Sequence, residues 1–264
     1  MQTLLAAGYL IGAFRVGSIP FSYLMARAVS DVDLRRVGTG TVSGTGVEAT
    51  SGFWPMAVAG VLDIGKGAAA VVLMAGTHPL LAAFGAGAAA VGHNWSPFLR
   101  GAGGRAISVA GGACGTMAWP GAAVVALGLA VGRIFHHTGF GSFVAQAALP
   151  AVLALTAGWP STVADPAVGA TLGAALVVPM WVKRLMGNAP GHRQPAGVYV
   201  SRLRFDNDAG WPVSGRRPDV PALVYPFELA KASAHAAVGI DPQNADARHL
   251  VAEAVLGEAH LIES

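Results

Sequence analysis

The sequence predicts an all-α, polytopic membrane protein with about seven transmembrane helices, and three observations predict it. Hydrophobic residues fill 53% of the 264 positions and charged residues only 12%, which leaves too little polar surface to clothe a water-soluble domain of this size. The mean hydropathy is correspondingly high, +0.53. The apolar residues are gathered into blocks of near-membrane length, and the basic residues between them fall in every second connection.

Crossing about 30 Å of hydrocarbon at 1.5 Å per residue takes about 20 apolar residues. Seven blocks qualify or come close: 2–26, 53–75, 79–99, 106–118, 120–133, 140–158 and 167–185. The fourth and fifth are short, and Trp119-Pro120 between them predicts a turn or kink, because proline cannot donate to a helix interior. Arg27, Arg35 and Arg36 follow the first block, Arg100 and Arg105 the third, Arg133 the fifth, and Lys183, Arg184 and Arg193 the seventh. The intervening connections carry no Lys or Arg. Under the positive-inside rule this alternation places the N-terminus outside and the C-terminus in the cytoplasm of a multi-pass cell-membrane protein with seven crossings.

Charge also divides the chain. Residues 1–185 hold 10 Lys/Arg and 5 Asp/Glu, whereas residues 186–264 hold 7 and 9. A membrane domain is expected over 1–186 and a partly helical, polar cytoplasmic extension over 187–264, with helices near 226–238 and 245–262. The basic excess belongs to the apolar part, where it reads as topology, so nucleic acid is not expected as a partner. Cys114 stands alone in an apolar stretch and offers neither an intramolecular disulfide nor a metal cluster. The first fourteen residues lack the basic start of a secretory signal. Glycine, 36 residues in all, concentrates with alanine where helices must approach closely, as in Phe84-Gly85-Ala86-Gly87-Ala88.

Ionisable side chains inside spanning segments cost about 2.5 kcal/mol or more on insertion scales, so each is a candidate for a functional or organising role. Arg15 interrupts the first block, and His93 ends the third. Asp63 and Lys66 lie three apart, on one helix face, where they can pair. Residues 60–67, GVLDIGKG, match the glycine-lysine part of a nucleotide-binding loop, but Gly67 stands where a magnesium-binding hydroxyl is required and no strand precedes it. A buried Asp–Lys pair is the better reading. Residues 37–46 alternate glycine with hydroxyls, Gly38, Thr39, Gly40, Thr41, Ser43 and Thr45 among them. Glycines free backbone N–H groups to point inward and hydroxyls add donors, the ingredients of an anion cradle. Arg35, Arg36, Arg100 and Arg105 fall on the same predicted membrane side, which makes phosphate the natural occupant. His93 precedes a Gly-Gly-Arg turn by about ten residues and is an acid/base or phosphate-ligand candidate, whereas His136 and His137 read as interfacial. No H-x-x-x-x-D, H-E-x-x-H, C-x-x-C or G-x-S-x-G pattern occurs, and no metal or cofactor is expected.

The ordered set of short motifs resembles one family. Gly17-Ser18-Ile19-Pro20-Phe21, Asp33-Leu34-Arg35 before the Gly/Thr loop, Asp63-x-x-Lys66-Gly67, Gly92-His93 with Phe98-Leu99, and Gly103-Gly104-Arg105 follow the order and spacing of bacterial seven-helix, acyl-phosphate-dependent glycerol-3-phosphate acyltransferases of the PlsY type. The resemblance covers residues 1–190. It implies transfer of a fatty acyl group from acyl phosphate to glycerol 3-phosphate, giving lysophosphatidic acid for phospholipid synthesis in a lipid membrane. It further implies His93, Thr41 and Arg105 at the reacting centre. Ser18, Arg35, Gly38, Thr39, Gly40, Thr45, Asp63, Lys66, Gly103, Gly104 and Ser108 would surround the phosphates. The chain departs from the pattern where Thr39 and Thr41 replace Ser and Asn, Ala49 replaces Arg, Ala102 and Arg105 replace the two lysines of K-G-G-K-G, and Val178 and Trp181 replace His and Asn. Two alternatives stay open at this level: a phosphate- or lipid-binding relative without turnover, and a small transporter using Arg15, Asp63 and Lys66 as a pathway. An enzyme requires Thr41, His93 and Arg105 to converge on one pocket.

Overall fold

The computed structural model describes residues 2–37, 40–135, 137–159, 161–187 and 199. The chain divides into two units, Met1–Pro212 and Val213–Ser264, and the described residues all belong to the first. The helices expected at 226–238 and 245–262 lie outside the described residues, as do Gly38, Thr39 and His136.

Among the described residues regular structure is helical throughout. The helices are α1 (Gln2–Ser18), α2 (Phe21–Ser30), α3 (Gly44–Ser51), α4 (Phe53–Val71), α5 (Pro79–Asn94), α6 (Ile107–Met117), α7 (Trp119–Ile134), α8 (Thr138–Leu155) and α9 (Pro166–Met186). Short 3-10 turns occupy Leu34–Arg36 and Pro97–Leu99. Each of the seven apolar blocks corresponds to helix, with two differences. The first block is broken at Ile19-Pro20 into α1 and α2, and α2 runs to Ser30, because proline lacks the N–H for the next helical bond and disfavours helix in the residue before it. The Gly/Thr segment is not loop throughout: Ser43 accepts a hydrogen bond from the Gly46 amide at 3.4 Å and starts α3, so Thr45 lies in a first helical turn. Trp119-Pro120 does open a new helix, with Ala118 between α6 and α7.

Among the described residues three segments are long and apolar enough to cross a membrane: Gln2–Ser30 taken together, Thr138–Leu155 and Pro166–Met186. The outer surface is apolar, with Leu5, Val61, Leu73, Leu127 and Leu155 all exposed, while Asp63, Lys66, Lys183 and Arg184 are buried. That inversion of the water-soluble pattern is what a lipid solvent selects, since greasy side chains meet acyl tails and charges must find partners inside.

Helix α5 is the hub, packed against α1, α4, α6 and α9. Its sequence explains why: Ala82, Ala83, Ala86, Ala89 and Ala90 are fully buried, and small side chains let four neighbours approach one axis. The closest approaches are glycines. A Cβ on Gly17 would overlap the Ala89 backbone, and one on Gly67 would overlap that of Val109, so α1–α5 and α4–α6 are in backbone contact there. The last three long helices pack in sequence, α7 on α8 and α8 on α9. Gly169 backs onto Leu153 and Gly173 onto Pro150, the crossed order of antiparallel neighbours.

Candidate active site

The site grows from the end of α5. Asn94 is buried and donates to the Pro179 carbonyl at 2.9 Å, fixing α5 against α9. Ser96 then organises the turn that follows: its hydroxyl donates to the Ser18 carbonyl at 2.6 Å, its amide to the Ala102 carbonyl at 3.1 Å, and its carbonyl accepts from Gly101 at 2.9 Å. Arg100 and Gly101 take successive positive φ values, 56° and 83°, which reverses the chain. The return strand of the turn is pinned on both sides. The Gly104 amide donates to the His93 carbonyl at 3.1 Å, and the Gly103 carbonyl accepts from the Val42 amide at 3.1 Å.

Gly103 and Gly104 therefore lie between the end of α5 and the segment before α3. A Cβ on Gly103 would overlap the carbonyls of His93 and Asn94, and one on Gly104 would overlap His93 Nε2 while standing 2.7 Å from the Val42 carbonyl oxygen. No side chain fits there. Next in sequence, Arg105 donates from Nη2 to Thr41 Oγ1 at 3.1 Å. His93, Thr41 and Arg105 are thus drawn to one place by Gly104 and its neighbours, and Gly40, with φ 71° and its amide on the Val37 carbonyl at 2.9 Å, shapes the backbone leading in. Helix α6 begins immediately after the turn and carries Ser108, half-buried, in its first turn. Its unbonded N–H groups and positive dipole end favour an anion beside Arg105.

The remaining sequence candidates make contacts of their own around this turn or away from it. Ser18 donates to Phe14 of its own helix at 2.7 Å, and its carbonyl holds Ser96. Arg35 forms a two-pronged pair with Asp33, at 2.9 and 2.6 Å, and lies over the Tyr23 ring. The Arg35 guanidinium holds the Asp33 carboxyl below the usual carboxylate range. Thr45 Oγ1 is 3.0 Å from Ser43 Oγ. Asp63 and Lys66 form the expected pair at 2.8 Å, and Lys66 also donates to the Ile19 carbonyl at 2.7 Å. Asp63 accepts from Ser22 at 3.2 Å and lies 3.9 Å from His93 Nδ1. This buried pair ties the break between α1 and α2 to α4 and to the histidine of α5.

Several participants escaped the sequence reading. Arg184 donates from both terminal nitrogens to the Gly139 carbonyl at 3.2 Å and also to Ser142 Oγ, anchoring α9 to the start of α8. Lys183, its neighbour, reaches the Gly101 carbonyl at 3.4 Å. Glu48 in α3 makes a fork with Arg133 at the end of α7, at 3.1 and 2.7 Å. In the sequence Lys183 and Arg133 spoke only for orientation, since a basic residue at a helix C-terminus also complements the dipole, and Arg184 resembled a family landmark without a contact to explain it.

An apolar surface around buried charges, with a glycine-built turn holding histidine, threonine and arginine together, defines an integral membrane protein with a polar site where the ends of its helices meet. Comparison gives the family. The family model described as glycerol-3-phosphate acyltransferase matches residues 7–186, and the chain belongs to that family of membrane acyltransferases. A glycerol-3-phosphate acyltransferase of Synechococcus sp. (strain CC9902) is 37% identical over 172 residues, covering 64% of this chain and 83% of the relative. One from Jannaschia sp. (strain CCS1) is 38% identical over 162 residues, covering 61% and 79%. Two crystal structures of PlsY (YgiH), an integral membrane glycerol 3-phosphate acyltransferase, share the fold. Its glycerol 3-phosphate form has a TM-score of 0.57 at 24% identity, covering 72% of this chain and 96% of that one. Its lysophosphatidic acid form has a TM-score of 0.55 at 22% identity, covering 74% and 98%.

Proposed function

We propose that this enzyme transfers a fatty acyl group from acyl phosphate to the sn-1 hydroxyl of glycerol 3-phosphate, releasing lysophosphatidic acid and inorganic phosphate. The observation that carries the reading is the convergence of Thr41, His93 and Arg105 around Gly103-Gly104. The glycerol hydroxyl oxygen bonds to the acyl carbonyl carbon, the bond from that carbon to the phosphate oxygen breaks, and the hydroxyl proton ends on the departing phosphate, directly or through His93. Acyl phosphate is already a mixed anhydride, so the reaction balances with no further reactant. The protein's part is positioning and charge stabilisation: Arg105, the Thr41 hydroxyl and the start of α6 bind phosphate, and His93 contacts the reacting groups.

The reading extends to topology. Counting α1–α2 as one crossing with α4, α5, α6, α7, α8 and α9 gives seven, with the N-terminus outside and the C-terminus cytoplasmic, in the cell membrane. Support comes from the basic connections meeting one another: Val42 bonds Gly103, Lys183 reaches Gly101, and Glu48 pairs with Arg133. One face therefore gathers the positive ends, as the positive-inside rule requires. Residues 1–186 form the catalytic domain and 187–264 a cytoplasmic extension. A transport pathway through Arg15, Asp63 and Lys66 is disfavoured, because Arg15 is exposed on α1 while the other two are buried against each other.

The test is acyl transfer from acyl phosphate to labelled glycerol 3-phosphate by the purified chain in lipid. Loss of one charge-stabilising donor typically costs about 100- to 1,000-fold, so Arg105→Ala and His93→Ala are each expected to lower turnover by that order. Turnover unchanged in both folded variants refutes the site. A wild-type protein that binds glycerol 3-phosphate without turning over refutes the reaction and leaves a phosphate-binding relative.

A further inference from the structure

We propose that Lys183 is a ligand of a substrate phosphate, a second cation that α9 delivers to the turn holding Arg105. A lysine in the last turn of a membrane helix ordinarily extends its chain to water or offsets the helix dipole. Lys183 does not reach water: it is 3% exposed and points across to another element. Its ammonium donates to the Gly101 carbonyl at a long 3.4 Å and lies 5.3 Å from the centre of the Trp95 ring. Gly101 belongs to the same turn as Gly103, Gly104 and Arg105, and Ala102 between them carries no charge.

Its electrostatic surroundings are the second argument. Among the described residues Lys183 pairs with no carboxylate; the acidic partners go to Arg27, Arg35, Lys66, His93 and Arg133. Instead it stands within electrostatic reach of Arg105 and His93, groups that add no negative charge. The other two buried cations of α4 and α9 are held by more bonds, Lys66 to Asp63 and Ile19, Arg184 to Gly139 and Ser142. One long bond and an aromatic face do not offset the burial of an ammonium, and a dianion between Lys183 and the turn that carries Arg105 would. A phosphate monoester or acyl phosphate has that charge. The assignment rests on the acyltransferase reading only for which phosphate it is. Arg184 has a positioning role, because its bonds to α8 fix the register at which Lys183 enters.

The experiment uses the full chain in lipid and compares wild type with Lys183→Gln and Lys183→Arg. Steady-state KM is measured for glycerol 3-phosphate and for acyl phosphate, inhibition by inorganic phosphate is titrated, and thermal unfolding checks folding. Lys183→Gln is expected to raise one or both KM values at least tenfold and to weaken phosphate inhibition similarly, with Lys183→Arg retaining most of the affinity. The KM that moves identifies the phosphate. A folded Lys183→Gln whose KM values and phosphate inhibition stay within twofold of wild type overturns the proposal, as does a fall in kcat and stability alone. Should wild type show no acyl transfer, equilibrium binding of inorganic phosphate decides. Binding that Lys183→Gln abolishes keeps this inference while the reaction falls, and wild type that binds no phosphate overturns both.

Discussion

Gly104→Ala is the sharpest test of the geometry, because it adds one methyl group at the point where three elements meet. The new Cβ would stand 2.7 Å from the Val42 carbonyl oxygen and 3.0 Å from His93 Cδ2, and would overlap His93 Nε2 outright. Ordinary contact begins near 3.4 Å, so the Val42 segment alone must retreat by about 0.7 Å, and the imidazole must move further. His93 cannot yield freely, since its backbone carbonyl is bonded to the Gly104 amide and Asp63 closes its other side at 3.9 Å. A displacement of about 1 Å in a positioned group costs on the order of 100-fold in rate. At 1.36 kcal/mol per tenfold, that corresponds to about 2.7 kcal/mol in the barrier. The assay is kcat/KM for acyl transfer in lipid, alongside thermal unfolding. Gly111→Ala serves as control, because a Cβ there meets nothing within 4 Å. A Gly104→Ala enzyme within threefold of wild type would refute the claim that the imidazole and the Val42 segment clamp this turn.

Three further outcomes are expected. Asp63→Asn leaves the Lys66 ammonium buried without its counter-charge and is expected to destabilise by about 3–5 kcal/mol, whereas the paired change Asp63→Leu with Lys66→Met costs much less; unfolding in detergent distinguishes them, and equal losses would argue against the pair. Gln146 is 1% exposed and neither of its amide atoms has a hydrogen-bond partner among the described residues, so Gln146→Leu is expected to leave the melting temperature unchanged or higher, and a clear drop would show that the amide is satisfied in the membrane. Arg133 and Arg35 hold the Glu48 and Asp33 carboxyls below their ordinary values of 4.5 and 3.8. A depressed carboxyl contributes stability above its unfolded value and loses it as pH falls through the folded one. Amide exchange over residues 31–51, corrected for intrinsic rates, should therefore be protected at pH 7 and accelerate toward pH 3; protection that survives the acid shift would separate this segment from its ion pairs.

Much of the fold was readable from the chain because lipid imposes few choices. In lipid a backbone must satisfy itself as helix or closed barrel, and a continuous apolar block favours helix, which is what each of the seven blocks contains, the short fourth and fifth included. What the blocks did not reveal was local. Pro20 splits the first block because its ring, not its hydropathy, decides the backbone. Ser43 converts the end of a Gly/Thr loop into α3 through one capping bond that composition cannot weigh against flexibility. The Asp63–Lys66 pair was legible because an i,i+3 spacing fixes a face whatever the tertiary fold.

The candidate site divides along the same line. Gly103-Gly104-Arg105, His93 and Thr41 stand out in the sequence through the ordered motifs that resemble the family, and the fold brings them to one turn. Lys183 does not, for in sequence it is an ordinary cation at the end of a helix, and Arg184 reads as a family landmark without a stated role. Their distinction is burial, and burial comes from Gly169 and Gly173 letting α9 close on α8, and from Asn94 drawing α9 to α5. The small residues thus act twice. They give a membrane bundle its cohesion where no hydrophobic effect separates helix from lipid, and they bring the last turn of α9 close enough to the α5 turn for Lys183 to reach Gly101. Enlarging Gly173 should therefore disturb phosphate affinity at a distance, by moving Lys183 rather than by touching substrate.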